Sequence, residues 1–311
     1  MNLIKQNKFL FYLRGYGNLL FPCFTDAKKK IQQLKSKFSA AELQMIEQRI
    51  NYYCQSEGNA EKISQKTFVK DLKKPKTPKA YYFDTYQYAR FFEENLPLDF
   101  VFGDVIHIPK TPSIVKSRPI CNENQNSILL NLDKARHFVW VKNDKNFLSK
   151  ENKLIGRGAI YGNQTNRIDF YKKYFSHSLC DLGTTNNFES LGWQKPKISI
   201  AEHLNFKFIL SLQGNDVATN LKWIMSSNSI AVMPKPTIET WFMEGKLEGG
   251  KHYIELKPDF SDLEEQLKFY INNPEKCLKI IENAHQHCQK FFNQDMEDLC
   301  SLLVLERYFL K

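Results

Sequence analysis

Residues 208–233 read FILSLQGNDVATNLKWIMSSNSIAVM, two apolar runs of strand length around a polar turn and a helical stretch. In the turn, Gly214 accepts positive φ, and Asn215 and Asp216 can cap the helical stretch after it. Val217, Leu221, Ile224 and Met225 then recur at helical spacing, and Ser226-Ser227-Asn228 ends them before the second run, 230–233. A strand, a helix and a strand in so short a span predict two parallel strands joined by a crossover, which commits the chain to an α/β fold. In such units the helix start faces whatever lies beyond the strand's carboxyl end, and anions are favoured there. Taken alone, the segment is more often a plain building block than a binding site.

The same alternation runs along the chain. Helices are predicted over 27–57, with Ser39 as a cap, over 85–94, 167–175 and 199–204, and from Asp262 onward. Strands are predicted over 96–105, 135–141, 154–162 and 252–256, whereas KDLKKPKTPKAYYF (70–83) reads as a loop. A chain of 311 residues is long for one core, so two domains are expected, with a break in the polar segment 143–153. No apolar run reaches the length of a membrane-spanning helix. The N-terminus carries basic and apolar residues, but Arg14 interrupts them and no small-residue cleavage site follows. Seven cysteines without a C-x-x-C pair suit reduced thiols. A cytoplasmic protein is expected. Residues 1–20 mix aromatic with basic side chains, as a segment lying on a membrane surface does.

The formal charge of +10 is uneven: residues 255–311 hold eleven acids and seven bases, and residues 1–40 hold eight bases and one acid. The basic part suits a polyanionic partner, whether nucleic acid, an anionic membrane or a phosphorylated substrate. Asp104 closes an apolar strand and is followed by His107, Lys110, Lys116 and Arg118. A carboxylate beside such cations is suited to deprotonating a hydroxyl on an anionic acceptor. In Gly156-Arg157-Gly158 an arginine could grip a pyrophosphate while glycine lets the backbone approach, and Arg167 could join it. Asn220 and Lys222 lie on the helix after the Gly214 turn, with Asp216 one turn before Asn220. Glu239 and Trp241 follow the second strand, where an acid could hold ribose hydroxyls. Walker, G-x-G-x-x-G, H-E-x-x-H and G-x-S-x-G signatures are absent, as is any nucleic-acid-binding module.

KFILSLQGNDVATNLKWIMSSNSIAVMPKPTIETWFMEGKLEGGKHYIEL, together with LPLDFVFGDV, SRPI, NSILLNLDKARHF and GRGAIYGNQTNR, resembles glycosyltransferase family 90. This family holds bacterial capsule-associated and lipopolysaccharide-core enzymes and eukaryotic protein O-glucosyltransferases, and the resemblance covers roughly 95–290. It implies a GT-B architecture, two Rossmann-like domains facing across a cleft, with C-terminal helices crossing back to the first. On that basis the chain divides into an acceptor-side domain (1–148), a donor domain (149–285) and a returning C-terminal helix (286–311). It also implies a UDP-sugar donor, no metal or other cofactor, and inversion with an aspartate base, the position of Asp104. Arg157 and Gly158 match the family's Arg-Gly at the donor phosphates. Where eukaryotic members carry an arginine in the 208–233 unit, this chain has Asn220. Arg157, Gly158, Arg167, Gly214, Asp216, Asn220, Lys222, Glu239 and Trp241 are therefore expected at the donor, and His107, Lys110, Lys116 and Arg118 at the acceptor. The expected activity is hexosyl transfer to a phosphorylated glycolipid of the lipopolysaccharide core or a related surface glycan. Contact with the inner membrane surface is expected and nucleic acid is not. The alternative is a non-catalytic binder of polyanions such as RNA.

Overall fold

The computed structural model describes residues 1–21, 23–55 and 67–309; positions 56–57 and 310–311 of the predicted helices lie outside them. The chain opens with β1 (Asn2–Ile4), α1 (Lys8–Leu20), α2 (Ala27–Lys35) and α3 (Ala40–Tyr53). Each of these helices starts at a polar side chain that accepts from its first turn: Asn7, Asp26 and Ser39, the last in a reciprocal capping box with Glu42. α4 (Lys79–Ala89) begins inside the stretch read as a loop. Its aromatic residues are buried around most of its circumference, so no amphipathic period marks it in the sequence.

β2 (Phe100–Val101), β3 (Ser113–Val115), β4 (Ser117–Pro119) and β5 (Ser127–Leu129) follow, and β2, β3 and β5 form a parallel sheet in that order. The strand expected over 96–105 shrinks to β2, because Pro97 has no N–H to give a ladder and Gly103 turns the chain at φ 120°. The strand expected over 135–141 becomes α5 (Lys134–His137) and β6 (Trp140–Lys142), the latter antiparallel to β1.

Next come β7 (Glu151–Gly158), α6 (Thr165–Tyr174), β8 (Cys180–Thr184), α7 (Ile200–His203), β9 (Phe206–Leu210), α8 (Leu221–Met225) and β10 (Ile230–Pro234). After β11 (Ile238–Thr240) and β12 (Ile254–Leu256), the chain ends in α9 (Leu263–Asn272), α10 (Pro274–Gln289) and α11 (Gln294–Phe309). β9 and β10 are parallel, as the 208–233 pattern requires, but α8 is a short helix and 211–220 is mostly turn. The fold is α/β with parallel sheets.

Two compact units divide these elements. One comprises 1–5, 137–237 and 244–290; the other comprises 6–136, 238–243 and 291–311. The first unit holds a five-stranded sheet in the order β12-β10-β9-β7-β8, all pairs parallel. Leu154, Phe208 and Val232 on its central strands have no exposed surface, which is how parallel strands covered on both faces come to be continuous apolar runs. Truncating one of them to Ala would cost about 2–5 kcal/mol. In the second unit α11 packs against α2, α3 and α4, and β11 pairs antiparallel with β4. No helix among the described residues is long and apolar enough to cross a membrane.

Candidate active site

Counted along the chain, the strands of the first unit's sheet lie in the spatial order second, first, third, fourth, fifth. The winding direction therefore reverses between β7 and β9, and ligands of such sheets bind beyond the carboxyl ends of the two strands that flank the reversal. A pocket of about 230 Å³ lies there. Gly156, Arg157, Gly158 and Ile160 line it from β7 and its loop, Arg167 and Tyr171 from α6, and Leu212, Thr219 and Asn220 from the segment after β9.

Arg157 is the charged centre of this pocket. Its Nη1 donates to the carbonyls of Gly156 (3.0 Å) and Asp181 (2.8 Å), and its Nη2 to Asp181 Oδ1 (2.8 Å). The side chain is 8% exposed, yet its Nε–H is buried without an acceptor. Such a donor is uncommon, and strain or an ordered water accounts for it as readily as a ligand does. Burial alone would raise the Asp181 carboxyl, but hydrogen bonds from Lys195 and Arg157 outweigh that and hold it below its ordinary value. Gly156 is required beneath this arrangement: a Cβ there would lie 2.9 Å from Leu182 and 3.1 Å from Leu210.

Arg167 is spent on the backbone. It donates to the carbonyls of Ala159 (2.9 Å), Leu212 (3.0 Å) and Gln213 (3.3 Å), tying the loop after β7 to the loop after β9. A Cβ on Gly214 would lie 3.1 Å from its Nη2. Asn220 accepts from Ser211 (3.1 Å) and donates to the Leu210 carbonyl (2.9 Å), closing the end of β9 onto the start of α8. Asp216 is buried and accepts from the Val217 N–H. Lys222 does not line the pocket; it is fully buried, with its Nζ 3.0 Å from Glu244 Oε1. The Tyr171 hydroxyl, pushed up to about 12 by burial, donates to the Gly183 carbonyl at 3.1 Å.

In the second unit Asp104 follows the carboxyl end of β2, and Lys116 follows that of the neighbouring β3. Lys116 is almost wholly buried, with its Nζ 2.5 Å from Asp104 Oδ1, while the carboxylate remains about one-third exposed. Arg136 Nη2 lies 3.9 Å from the same oxygen, and Arg136 Nε is 2.7 Å from Asp133. Ser117 holds the turn by bonding both the N–H and the carbonyl of Val105. His107 and Lys110 are exposed on the loop beyond. Arg118 has no exposed surface: it pairs with Glu239 at 2.8 Å and donates to the carbonyls of Tyr52, Tyr53 and Ser127. Trp241 stacks on Tyr53 at 3.8 Å between ring centres, and its Nε1 donates to Glu297 at 2.6 Å.

Most of the sequence candidates thus fall into three groups, with Asp216 buried after β9 and His107 and Lys110 exposed on their loop. Arg157, Gly158, Arg167 and Asn220 share one pocket, with Gly214 against Arg167. Asp104 and Lys116 share a second position, in the other unit. Arg118, Glu239 and Trp241 are packed inside that second unit, and Lys222 is packed inside the first. Asp181, Lys195, Tyr171, Thr219, Arg136 and Asp133 carry no mark in the sequence that singles them out. Among the described residues no cluster of His, Cys, Asp and Glu is disposed to hold a metal ion.

The sequence model of glycosyl transferase family 90 matches residues 160–308. O-glucosyltransferase LpsA of Dichelobacter nodosus is 38% identical over 313 residues, which span 97% of this chain and 95% of that protein. The chain belongs to glycosyl transferase family 90. Membership makes it a glycosyltransferase. The family 90 match takes in the Arg167, Tyr171 and Asn220 walls of the pocket; Arg157 and Asp104 lie in the longer alignment with LpsA. Uncharacterized protein 179R of Invertebrate iridescent virus 6 is 28% identical over 112 residues, 33% of this chain and 9% of that protein.

Proposed function

We propose that this family 90 enzyme transfers a hexose from a UDP-sugar to a phosphorylated glycolipid acceptor of the lipopolysaccharide core or a related surface glycan. Likeness to an O-glucosyltransferase favours glucose as the hexose. The observation that carries the reading is the Arg157 guanidinium lining a pocket at the reversal point of a parallel sheet. A diphosphate supplies the oxygens and the charge that a guanidinium fork prefers. Ligand pockets usually measure about 300–1,000 Å³, so this smaller one takes only part of the nucleotide sugar. Arg167, committed to three carbonyls, fixes the pocket walls, and Arg157, held by Asp181 at the end of β7, is the phosphate ligand in this reading. No metal is needed in this reading, and GT-B architecture and cytoplasmic action at the inner membrane belong to it through the family resemblance.

Asp104 is the base. Its carboxylate takes the proton of the acceptor hydroxyl as that oxygen bonds to the anomeric carbon. The bond from that carbon to the UDP oxygen breaks with inversion, its electron pair leaving on the diphosphate, where Arg157 stabilises the charge. Lys116 orients the Asp104 carboxylate, and His107 and Lys110 meet the anionic acceptor. Arg118, Glu239 and Trp241 serve the packing of their unit, and Lys222 that of its own.

Asp104→Asn tests the assignment. UDP affinity is expected to survive, while transfer from UDP-glucose falls by about 10²–10⁴-fold. Transfer at the wild-type rate would remove Asp104 from the chemistry.

A further inference from the structure

α1 has two apolar faces. Phe11 and Gly15 are buried, and Gly15 is held so close to Phe83 that a Cβ would lie 2.6 Å from its ring. Phe11, Tyr12 and Tyr16 all contact the same Phe83 ring edge-on, and Arg90 donates to the Phe21 carbonyl at the helix end (2.9 Å). The helix is therefore firmly mounted on its unit. Yet Phe9, Leu13 and Leu20 recur at i, i+4 and i+11 on another side, exposed by 74, 58 and 79%, with the half-exposed Tyr16 at its edge. Phe21 and Phe24, 70% and 94% exposed, extend this stripe past the helix. An exposed apolar stripe of this length on a mounted helix marks an interaction surface.

Charge selects the partner. Residues 1–25 contain Lys5, Lys8 and Arg14 and no acid, and all three cations are exposed. At 100° per residue, Lys8 and Arg14 fall on opposite flanks of the stripe. Aromatic and leucine side chains between flanking cations are what a helix needs to lie in the headgroup layer of an anionic bilayer. A groove of about 620 Å³ adjoins Leu20, Phe21 and Phe24, and Asp26, Glu93 and Glu94 line it together with Lys73 and Arg90. Its acids outnumber its bases, so the attraction falls to the three cations of residues 1–25.

We propose that the outward stripe of α1, with Phe21 and Phe24, docks the protein on an anionic phospholipid bilayer. The proposal gives the membrane contact of the functional reading a defined surface and rests on that reading only for its purpose. Co-sedimentation of the full chain with vesicles is measured without donor or acceptor, so its failure leaves the transfer reaction standing, and failure of transfer leaves the docking standing.

Wild-type protein should pellet with mixed phosphatidylcholine–phosphatidylglycerol vesicles, pellet poorly with phosphatidylcholine alone, and come off as salt rises. Phe9→Ser/Leu13→Ser/Leu20→Ser should weaken binding by about a hundred-fold or more, with an unchanged melting temperature. Lys5→Glu/Lys8→Glu/Arg14→Glu, which keeps the apolar stripe, should weaken it by roughly a hundred-fold on the mixed vesicles. Wild-type protein that stays in solution with the mixed vesicles, or variants that bind them as wild type does, would overturn the proposal. So would self-association in sedimentation velocity that the serine variant abolishes without any vesicle binding, because the stripe would then pair with a second copy.

Discussion

Arg157 Nη2 and Asp181 Oδ1 meet at 2.8 Å across neighbouring parallel strands, and Lys195 Nζ reaches the same oxygen at 2.8 Å. One carboxylate thereby balances two cations and fixes the guanidinium that lines the pocket. Because the folded Asp181 carboxyl is held below its ordinary value, its stabilisation is present above the unfolded value of about 3.9. That stabilisation is lost as pH falls through the lower folded value. The melting-temperature gap between wild type and Asp181→Asn should be full near neutrality and close below about pH 4. UDP affinity of Asp181→Asn should fall by roughly ten-fold as Arg157 loses its orienting charge. Thermal melts across pH and a UDP titration read the two effects separately.

Lys222 and Glu244 form a pair with almost no exposure, so removing one partner takes an opposite charge away from the other inside the core. Lys222→Met should cost about 3–5 kcal/mol in urea unfolding, and Lys222→Met/Glu244→Met should recover much of it. The folded fraction of Lys222→Met should bind UDP as wild type does, since Lys222 does not line the pocket. A selective loss of UDP affinity, with stability intact, would return Lys222 to the donor site.

What is legible in the sequence is local. The 208–233 pattern yields parallel β9 and β10 because apolar runs, the Gly214 turn and the polar stop at 226–228 all act within a few residues. Gly-Arg-Gly marks Arg157 for the same reason: glycine is needed beneath Leu182 and Leu210, and the arginine closes the strand. β8 escapes a sequence reading because it is an edge strand, where Asp181 and Gly183 are tolerated and no apolar run forms. With β8 hidden, Asp181 cannot be matched to Arg157, since parallel register alone brings them together. Arg118 and Glu239 look ligand-binding in the sequence because basic loops and late acids often are. Their cross-strand pairing joins distant segments, and no short-range pattern reports it. Asp104 stands out for a partly different reason than expected, since the strand before it is only Phe100–Val101 and Gly103 makes the turn.

The most direct test of a donor site centred on Arg157 is calorimetric titration of UDP into wild-type protein and Arg157→Ala, with GDP, CMP and ADP as controls. The expected result is binding of UDP in preference to the others and a loss of at least about ten-fold in Arg157→Ala, roughly 1.4 kcal/mol or more. Equal UDP affinity in the two proteins, or no UDP binding by the wild type, would contradict a donor site at Arg157.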